Sequence, residues 1–183
     1  MNDKSKTSTP TNPRFRLLAD SMLGRLARWL RLMGYDTTYA ATLPDHQIAA
    51  QARAEGRIVL TRDRELARRK GIRALLIDSQ ILESQIQEVV SVLGLPATDL
   101  EPRCPQCNAS LLQTTADAVR TRVPAHVLEK HQHFCRCSEC DKIYWRGSHW
   151  QNVELLIAQV LENQDRAEDD NENQSGTIAN ATE

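Results

Sequence analysis

The 183-residue sequence lacks the features that mark a membrane or secreted protein. No apolar run approaches the roughly 20 residues that a membrane-spanning helix requires. Residues 1–13, MNDKSKTSTPTNP, contain no apolar stretch like the core of a signal peptide and are expected to be disordered. Aromatic residues are scarce, at 4%, but hydrophobic residues as a whole reach 40%, which is ample for a core. We therefore expect a folded cytoplasmic protein without a membrane partner.

Net charge is also nearly absent, at −1, but this value conceals an uneven distribution. Residues 14–94 carry +4 and residues 95–161 carry 0, whereas residues 162–183 carry −6. The basic first part suits a polyanionic partner, although +4 alone is a weak signal. The acidic, Asn-rich segment 162–183 is expected to be a disordered tail.

An even set of cysteines is missing too, and all five cysteines lie between positions 104 and 140. Four of them form two CxxC pairs separated by 29 residues: Cys104, Cys107, Cys137 and Cys140. This spacing is typical of a zinc ribbon, in which two knuckles hold one structural Zn²⁺ through four thiolates. A redox CxxC would need a surrounding βαβ unit, and disulfides are disfavoured in the cytoplasm. Cys135 remains as a predicted free thiol.

The segment 14–95 alternates between short apolar runs and helical patterns. Predicted strands cover 15–19, 57–60 and 74–77, and residues 36–40 are expected to form a turn into a further strand. Predicted helices cover 22–33, 44–55, 64–67 and 81–93. Such alternation predicts an α/β fold with a parallel sheet flanked by helices on both faces. A linker over 96–102 leads into a second domain, 101–161, in which the zinc ribbon ends in a closing helix over 153–161.

Acidic residues follow the predicted strands at the points where those strands end. Asp20 follows the first strand, Asp63 the third and Asp78 the fourth, and Asp45 lies at the start of the second helix. The carboxyl ends of parallel strands share one edge of the sheet, so we expect these carboxylates to meet there. A Mg²⁺ or Mn²⁺ ion held by one or two carboxylates and water would relieve their repulsion. The simpler alternative is that Asp20 only caps a helix and that Asp78, like Asp36, is a turn residue.

Several separated motifs resemble one known family. LLADSMLGRLARWLRLMGYDT, the helix that contains Asp45, RIVLTRD, CPQCN and CSECDKIYWRGSHW stand in the order found in the Mut7-C RNase family. In that family a PIN-like nuclease domain is fused to a zinc ribbon. The resemblance covers residues 14–155 and implies a metal-dependent ribonuclease whose acids are Asp20, Asp45 and Asp63. PIN relatives often carry a fourth acid, for which Asp78 is a candidate outside the matching motifs.

Basic and aromatic side chains near these motifs are candidate RNA contacts. The guanidinium groups of Arg25, Arg28, Arg62 and Arg64 flank the acids in sequence and match phosphate geometry. A second group, which combines stacking and basic side chains as single-stranded RNA requires, lies on the ribbon: Tyr144, Trp145, Arg146, His149 and Trp150. The alternatives stay open, because each arginine alone could be solvated and a small ribbon needs Tyr144 and Trp145 for its own core.

The sequence thus predicts a ribonuclease that hydrolyses RNA phosphodiester bonds at a carboxylate-bound Mg²⁺ or Mn²⁺ ion. The rival hypothesis is a non-catalytic RNA-binding or ribosome-associated adaptor with a zinc ribbon, which would bind RNA equally well without a divalent ion. An aspartyl phosphatase would need a second aspartate two residues after Asp20, where Met22 stands. The sequence identifies neither the RNA that is cut nor a protein partner.

Overall fold

The computed structural model describes residues 15–94, 101–145 and 147, with residues 155, 158, 159 and 162 near the carboxyl end. Four predicted features fall wholly or mostly outside the described residues: the segment 1–13, the linker 96–102, the closing helix 153–161 and the tail 162–183. No helix in the described part of the chain is long and apolar enough to cross a membrane.

A parallel four-stranded sheet forms the centre of the first part of the chain. Its strands are β1 (Arg16–Ala19), β2 (Asp36–Tyr39), β3 (Ile58–Thr61) and β4 (Arg73–Leu76), in the order β2-β1-β3-β4. The helices are α1 (Gly24–Leu32), α2 (Asp45–Glu55), α3 (Arg64–Ala67) and α4 (Leu82–Leu93). The predicted α/β fold with a parallel sheet is confirmed. This order places β1 and β3, the strands that precede Asp20 and Asp63, side by side at the centre.

Helices cover both faces of this sheet. Leu17 of β1 is fully buried in a cluster that contains Leu26 of α1 and residues of α4. The next residue, Leu18, belongs to a second cluster with Ile48 of α2 and Leu66 of α3. Successive side chains of a strand point to opposite faces, so a strand covered on both faces carries consecutive apolar residues, as the fully buried Leu17 and Leu18 of β1 do.

Three predicted boundaries are corrected by the structure. The helix predicted over 22–33 begins with a 3-10 turn, Ser21–Leu23, before α1 starts at Gly24. The third strand continues to Thr61, because the Thr61 carbonyl accepts a hydrogen bond from the Ile77 amide at 2.8 Å. Asp36, predicted to be a turn residue, is the first residue of β2.

The second part of the chain contains a small antiparallel sheet. Strands β5 (Leu111–Thr114), β6 (Phe134–Cys137) and β7 (Ile143–Trp145) pair in that order. Two short helices, α5 (Ala116–Val119) and α6 (Ala125–Lys130), connect β5 to β6. Its apolar cluster is built around Phe134, Val119, Val123 and Val127. A core of this size is typical of a module that a bound metal ion helps to fold.

The two parts meet where the first cysteine knuckle covers β2, an outer strand of the parallel sheet. Arg31 of α1 is only 6% exposed and donates from Nε to the Thr37 carbonyl at 2.7 Å. Its Nη1 donates to the carbonyls of Pro105 and Gln106 at 2.9 and 3.2 Å. The Asn108 side chain accepts a hydrogen bond from the Thr37 amide at 3.0 Å. The knuckle therefore satisfies backbone groups that an uncovered edge strand would leave to solvent.

Candidate active site and metal centre

Asp20 lies at the carboxyl end of β1 and is almost fully buried, at 4% exposure. Its Oδ1 accepts a hydrogen bond from the Met22 amide at 2.9 Å and so caps the following 3-10 turn. Its Oδ2 accepts a hydrogen bond from the hydroxyl group of Thr61. Capping, the simpler alternative for this residue, therefore describes one carboxylate oxygen and leaves the other to a different partner.

Thr61, fully buried at the end of β3, joins Asp20 to Asp63. Its hydroxyl group donates to Asp20 and accepts a hydrogen bond from the Asp63 amide at 2.9 Å. The Oδ1 of Asp63 accepts from the amides of Glu65 and Leu66, at 2.7 and 3.3 Å, and caps α3. Within the described residues, the Oδ2 of Asp63 receives no hydrogen bond. One hydroxyl group thus holds the two aspartates at the same edge of the sheet.

Asp45 and Asp78 are less closely tied to this pair. Asp45 is the exposed first residue of α2, and Asp78 is exposed after the buried Ile77. The Asp78 amide donates a hydrogen bond to the Glu88 carboxylate at 3.3 Å. In the described part of the chain, no three carboxylates have oxygens within 4.8 Å of one another. A Mg²⁺ ion keeps several water ligands, so such a closed cage is not required.

Four of the arginines predicted to contact RNA lie in the described part of the chain. Within the described residues, Arg25, Arg28, Arg62 and Arg64 take part in no ion pair. The Nε of Arg62 is buried and has no hydrogen-bond partner there. A buried donor without a partner is costly, so this position is energetically unfavourable for the Arg62 side chain. Arg31, which continues the same spacing along α1, is instead buried under the cysteine knuckle.

The four predicted zinc ligands form one cluster. The sulfur atoms of Cys104, Cys107, Cys137 and Cys140 lie within 4.8 Å of one another. The Cys104–Cys140 and Cys107–Cys137 separations are 3.6 and 3.4 Å. Four thiolates at Zn–S distances of about 2.3 Å on a tetrahedron are about 3.8 Å apart, so the cluster fits a tetrahedral metal ion. Cys135 lies on β6 and is not part of this cluster.

Hydrogen bonds divide the negative charge unequally within the cysteine cluster. Burial raises the pKa of Cys104, but hydrogen bonds from the Tyr144 hydroxyl group, at 3.1 Å, and from the knuckle backbone lower it to about 6. Burial and the neighbouring sulfur atoms raise the pKa of Cys107 to about 12. Binding of a dication would release the remaining thiol protons. Tyr144, one of the predicted aromatic contacts, is therefore engaged at this metal site.

The other ribbon residues predicted to contact RNA are only partly described. Trp145 ends β7 and is 37% exposed. Arg146, His149 and Trp150 lie outside the described residues. For this surface, the structure therefore adds only the exposure of Trp145 to what the sequence predicts.

Three residues that hold the site together were missed by sequence reasoning: Thr61, Arg31 and Asn108. Thr61 resembles any strand residue, and only its place beside Asp63 in RIVLTRD could have singled it out. Asn108 has a positive φ of 71° directly after the first knuckle, a conformation that asparagine tolerates better than most residues. The partners of Arg31 are 74 and 75 positions away, and no local pattern reports such a contact.

The chain matches a known family over most of its length. Residues 15–157 match the model of the Mut7-C RNAse domain family. The chain belongs to the Mut7-C RNase family. The human protein Exonuclease mut-7 homolog is 36% identical over 102 residues, an alignment that covers 51% of this chain and 12% of that protein. No solved structure is significantly similar to the chain.

Membership of the Mut7-C family confirms the resemblance given by the separated motifs. The matched region extends from the carboxylate edge, with Asp20 and Asp63, to the second cysteine pair at Cys137 and Cys140. The family description is that of a nuclease. The chain spans only about an eighth of the human relative, so that protein's own activity does not transfer to this chain as a whole.

Proposed function

We propose that this chain is a PIN-like ribonuclease that hydrolyses RNA phosphodiester bonds with the help of a Mg²⁺ or Mn²⁺ ion. The observation that carries the proposal is the Thr61 hydroxyl group, which links Asp20 and Asp63 at the carboxyl edge of the sheet. Each aspartate uses Oδ1 for a helical cap. Within the described residues the Oδ2 of Asp63 receives no hydrogen bond, and the Oδ2 of Asp20 receives only that of Thr61, so both oxygens keep a lone pair for a cation. Asp45, at the start of α2, would supply a further carboxylate.

The residues around this edge would have different roles in the reaction. A divalent ion held by Asp20 and Asp63 would activate water and offset charge on the phosphate. Arg62, which is half-buried and has no ion pair in the described residues, would bind a phosphate through its guanidinium group. Arg25 and Arg64, exposed and without ion pairs in the described part, would hold neighbouring phosphates of the chain. No residue acts as a covalent nucleophile in this scheme.

Asp63→Asn tests the carboxylate role directly. Asparagine caps helices as well as aspartate does, so folding should persist. Loss of a direct metal ligand should lower cleavage of a mixed RNA pool in Mn²⁺ by at least ~100-fold, since even indirect metal-site residues are worth 10- to 100-fold. RNA affinity should stay level or rise, because a negative charge beside Arg62 and Arg64 is removed.

Asp117→Asn is the matched control, because Asp117 is exposed on α5 of the ribbon. It should cleave RNA like the parent. Cleavage by Asp63→Asn at the parental rate in excess Mn²⁺ would contradict the proposal. The adaptor hypothesis would then gain, since both aspartates already have structural roles as caps.

We also propose that the cysteine cluster holds one structural Zn²⁺ ion and that the protein is cytoplasmic. Four thiolates close a tetrahedral coordination sphere and leave no position for substrate, which favours a folding role over catalysis. Thiols in this arrangement require a reducing compartment to remain free for metal. Metal analysis of the purified protein should find about one zinc per chain.

A further inference from the structure

Tyr39 is an exposed aromatic residue beside the candidate active site. It is the last residue of β2 and lies opposite Ala19, the residue before Asp20. The ladder continues past this pair, because the Ala40 amide donates to the Ala19 carbonyl at 2.9 Å. Tyr39 nevertheless remains 39% exposed, although Ala40 is buried. An aromatic side chain is thus presented to solvent at the end of β2, beside the strand that leads into Asp20.

The ring of Tyr39 is held in one position rather than left free. Its hydroxyl group donates to the carbonyl of Ser21 at 2.9 Å, so the ring extends across the end of β1 to the residue after Asp20. Gly24 lies directly beneath the ring. A Cβ atom at Gly24 would stand 2.8 Å from Oη and 2.9 Å from Cζ of Tyr39, which real side chains do not tolerate.

Gly24 is required for this space and not for its backbone conformation. Its φ of −61° and ψ of −34° are ordinary helical values that any residue adopts. Gly24 is the first residue of α1, and the visible consequence of a glycine there is room for the Tyr39 ring.

We propose that Tyr39 is a base-stacking residue, which receives the nucleobase of an RNA nucleotide bound at the carboxylate edge. This inference rests on the proposed ribonuclease function of that edge. A half-exposed ring that is already fixed at both ends loses little conformational freedom when a base stacks on it. Stacking accepts every base, because each base has a π-face, so Tyr39 would position single-stranded RNA without selecting its sequence.

A purely structural role for Tyr39 makes different predictions. In that case the ring would serve only to pack β2 against the start of α1, through Ser21 and Gly24. Removing the ring would then lower stability and weaken every ligand at this edge equally. Base stacking instead predicts that only ligands that carry bases lose affinity.

The test compares the binding of two oligomers of equal length and charge. One is a five-nucleotide RNA, and the other is the same ribose–phosphate chain without bases. Their dissociation constants are measured by fluorescence anisotropy without divalent ions, so that neither is cut. Tyr39→Leu should reduce the preference of the protein for the base-carrying oligomer by about 5- to 150-fold. Tyr39→Phe, which keeps the ring, should retain most of the preference. Leu112→Ala, at an exposed apolar residue of the ribbon, should change nothing.

Gly24→Ala provides a second variant that keeps the tyrosine. The new methyl group would displace the ring, so this variant should lose the same preference for bases. An unchanged preference in Tyr39→Leu, with unfolding at the parental temperature, would overturn the inference. If the parent protein fails to cleave RNA in Mn²⁺ but the preference still depends on Tyr39, the ribonuclease proposal fails and the stacking role stands.

Discussion

Asn108 offers the sharpest test of how the cysteine module is attached to the parallel sheet. Its Oδ1 accepts from the amide of Thr37 at 3.0 Å, and its Nδ2 donates to the carboxylate of Asp36 at 2.7 Å. The same Asp36 oxygen accepts from Arg57 at 2.8 Å, so one side chain connects the knuckle to a buried arginine of the sheet. Asn108→Gly removes these contacts without disturbing the backbone, because glycine adopts the observed φ of 71° freely.

The expected loss of stability in Asn108→Gly follows from the two groups that lose their hydrogen-bond partner, the Thr37 amide and the Asp36 carboxylate. Thr37 is fully buried, and an unpaired amide there costs roughly 1–3 kcal/mol. The hydrogen bond to charged Asp36 contributes a further ~1.5–3 kcal/mol. Glycine adopts the left-handed conformation without the steric strain of a residue that has a Cβ, which offsets roughly 1–2 kcal/mol of this loss. The net loss in the free energy of unfolding should be about 3 kcal/mol, within outer bounds of roughly 0.5–5 kcal/mol, and the central value corresponds to roughly 6–12 °C in Tm for a chain of this length.

Asp141→Gly is the matched control for this measurement. Asp141 stands in the same place after the second knuckle and has a similar positive φ of 57°. Its ion pairs, however, join the exposed side chains of Arg122 and Arg136, and exposed pairs contribute little. Thermal unfolding followed by circular dichroism gives the stabilities, and hydrogen exchange at the Thr37 amide reports the local contact. Equal destabilisation by the two variants, with Thr37 still protected in Asn108→Gly, would refute the attachment argument.

Three further predictions follow from single contacts. Thr61→Val should lower the free energy of unfolding by roughly 1–3 kcal/mol, and it should also lower the cleavage rate and the Mn²⁺ affinity measured by calorimetry. Unchanged cleavage would show that the hydrogen bond to Asp20 is not needed for the reaction. Cys137→Ser should lose zinc and unfold the ribbon, but Cys135→Ser should keep one zinc per chain by metal analysis. Burial raises the pKa of Asp36, but hydrogen bonds from Arg57 and Asn108 outweigh it and lower the pKa below 3.8. Ionised Asp36 therefore stabilises the fold above about pH 4, and this contribution is lost as the pH falls. The urea concentration at half-unfolding should thus fall less steeply below pH 4 in Asp36→Asn than in the parent. An equally steep fall in both proteins would contradict this.

Much of the sheet could be predicted because β1, β3 and β4 contain apolar runs, whereas β2 (Asp36–Tyr39) is largely polar and the sequence indicates it only as the continuation of a turn. A run such as RIVL, bounded by Gly56 and a polar TRD, can hardly be anything but a strand buried on both faces. The boundary error at β3 has a physical cause. The Arg57 amide donates to the Ala52 carbonyl at 2.9 Å, at the end of α2, rather than to a neighbouring strand. Thr61 extends the strand, because its carbonyl accepts a hydrogen bond from the Ile77 amide.

The junction between the two parts could not be predicted, because its contacts join positions far apart in the chain. Spacing along α1 groups Arg31 with Arg25 and Arg28, but spacing reports a helix face and not what covers that face. The knuckle buries Arg31 and leaves the other two exposed. Asp36 was assigned to a turn for the same reason, since its partners Arg57 and Asn108 are 21 and 72 positions away.

The sequence left open whether Asp20 caps a helix or acts in catalysis, but the two roles do not exclude each other. A carboxylate has two oxygens, and both Asp20 and Asp63 use Oδ1 for a backbone cap. The cap fixes the orientation of the group, and a fixed orientation is what a metal ligand needs. The amide of asparagine keeps an oxygen for the cap but replaces the charged second oxygen with a donor. Substitution at Asp63 therefore separates the two roles: stability reports the cap, and metal-dependent cleavage reports the remaining oxygen.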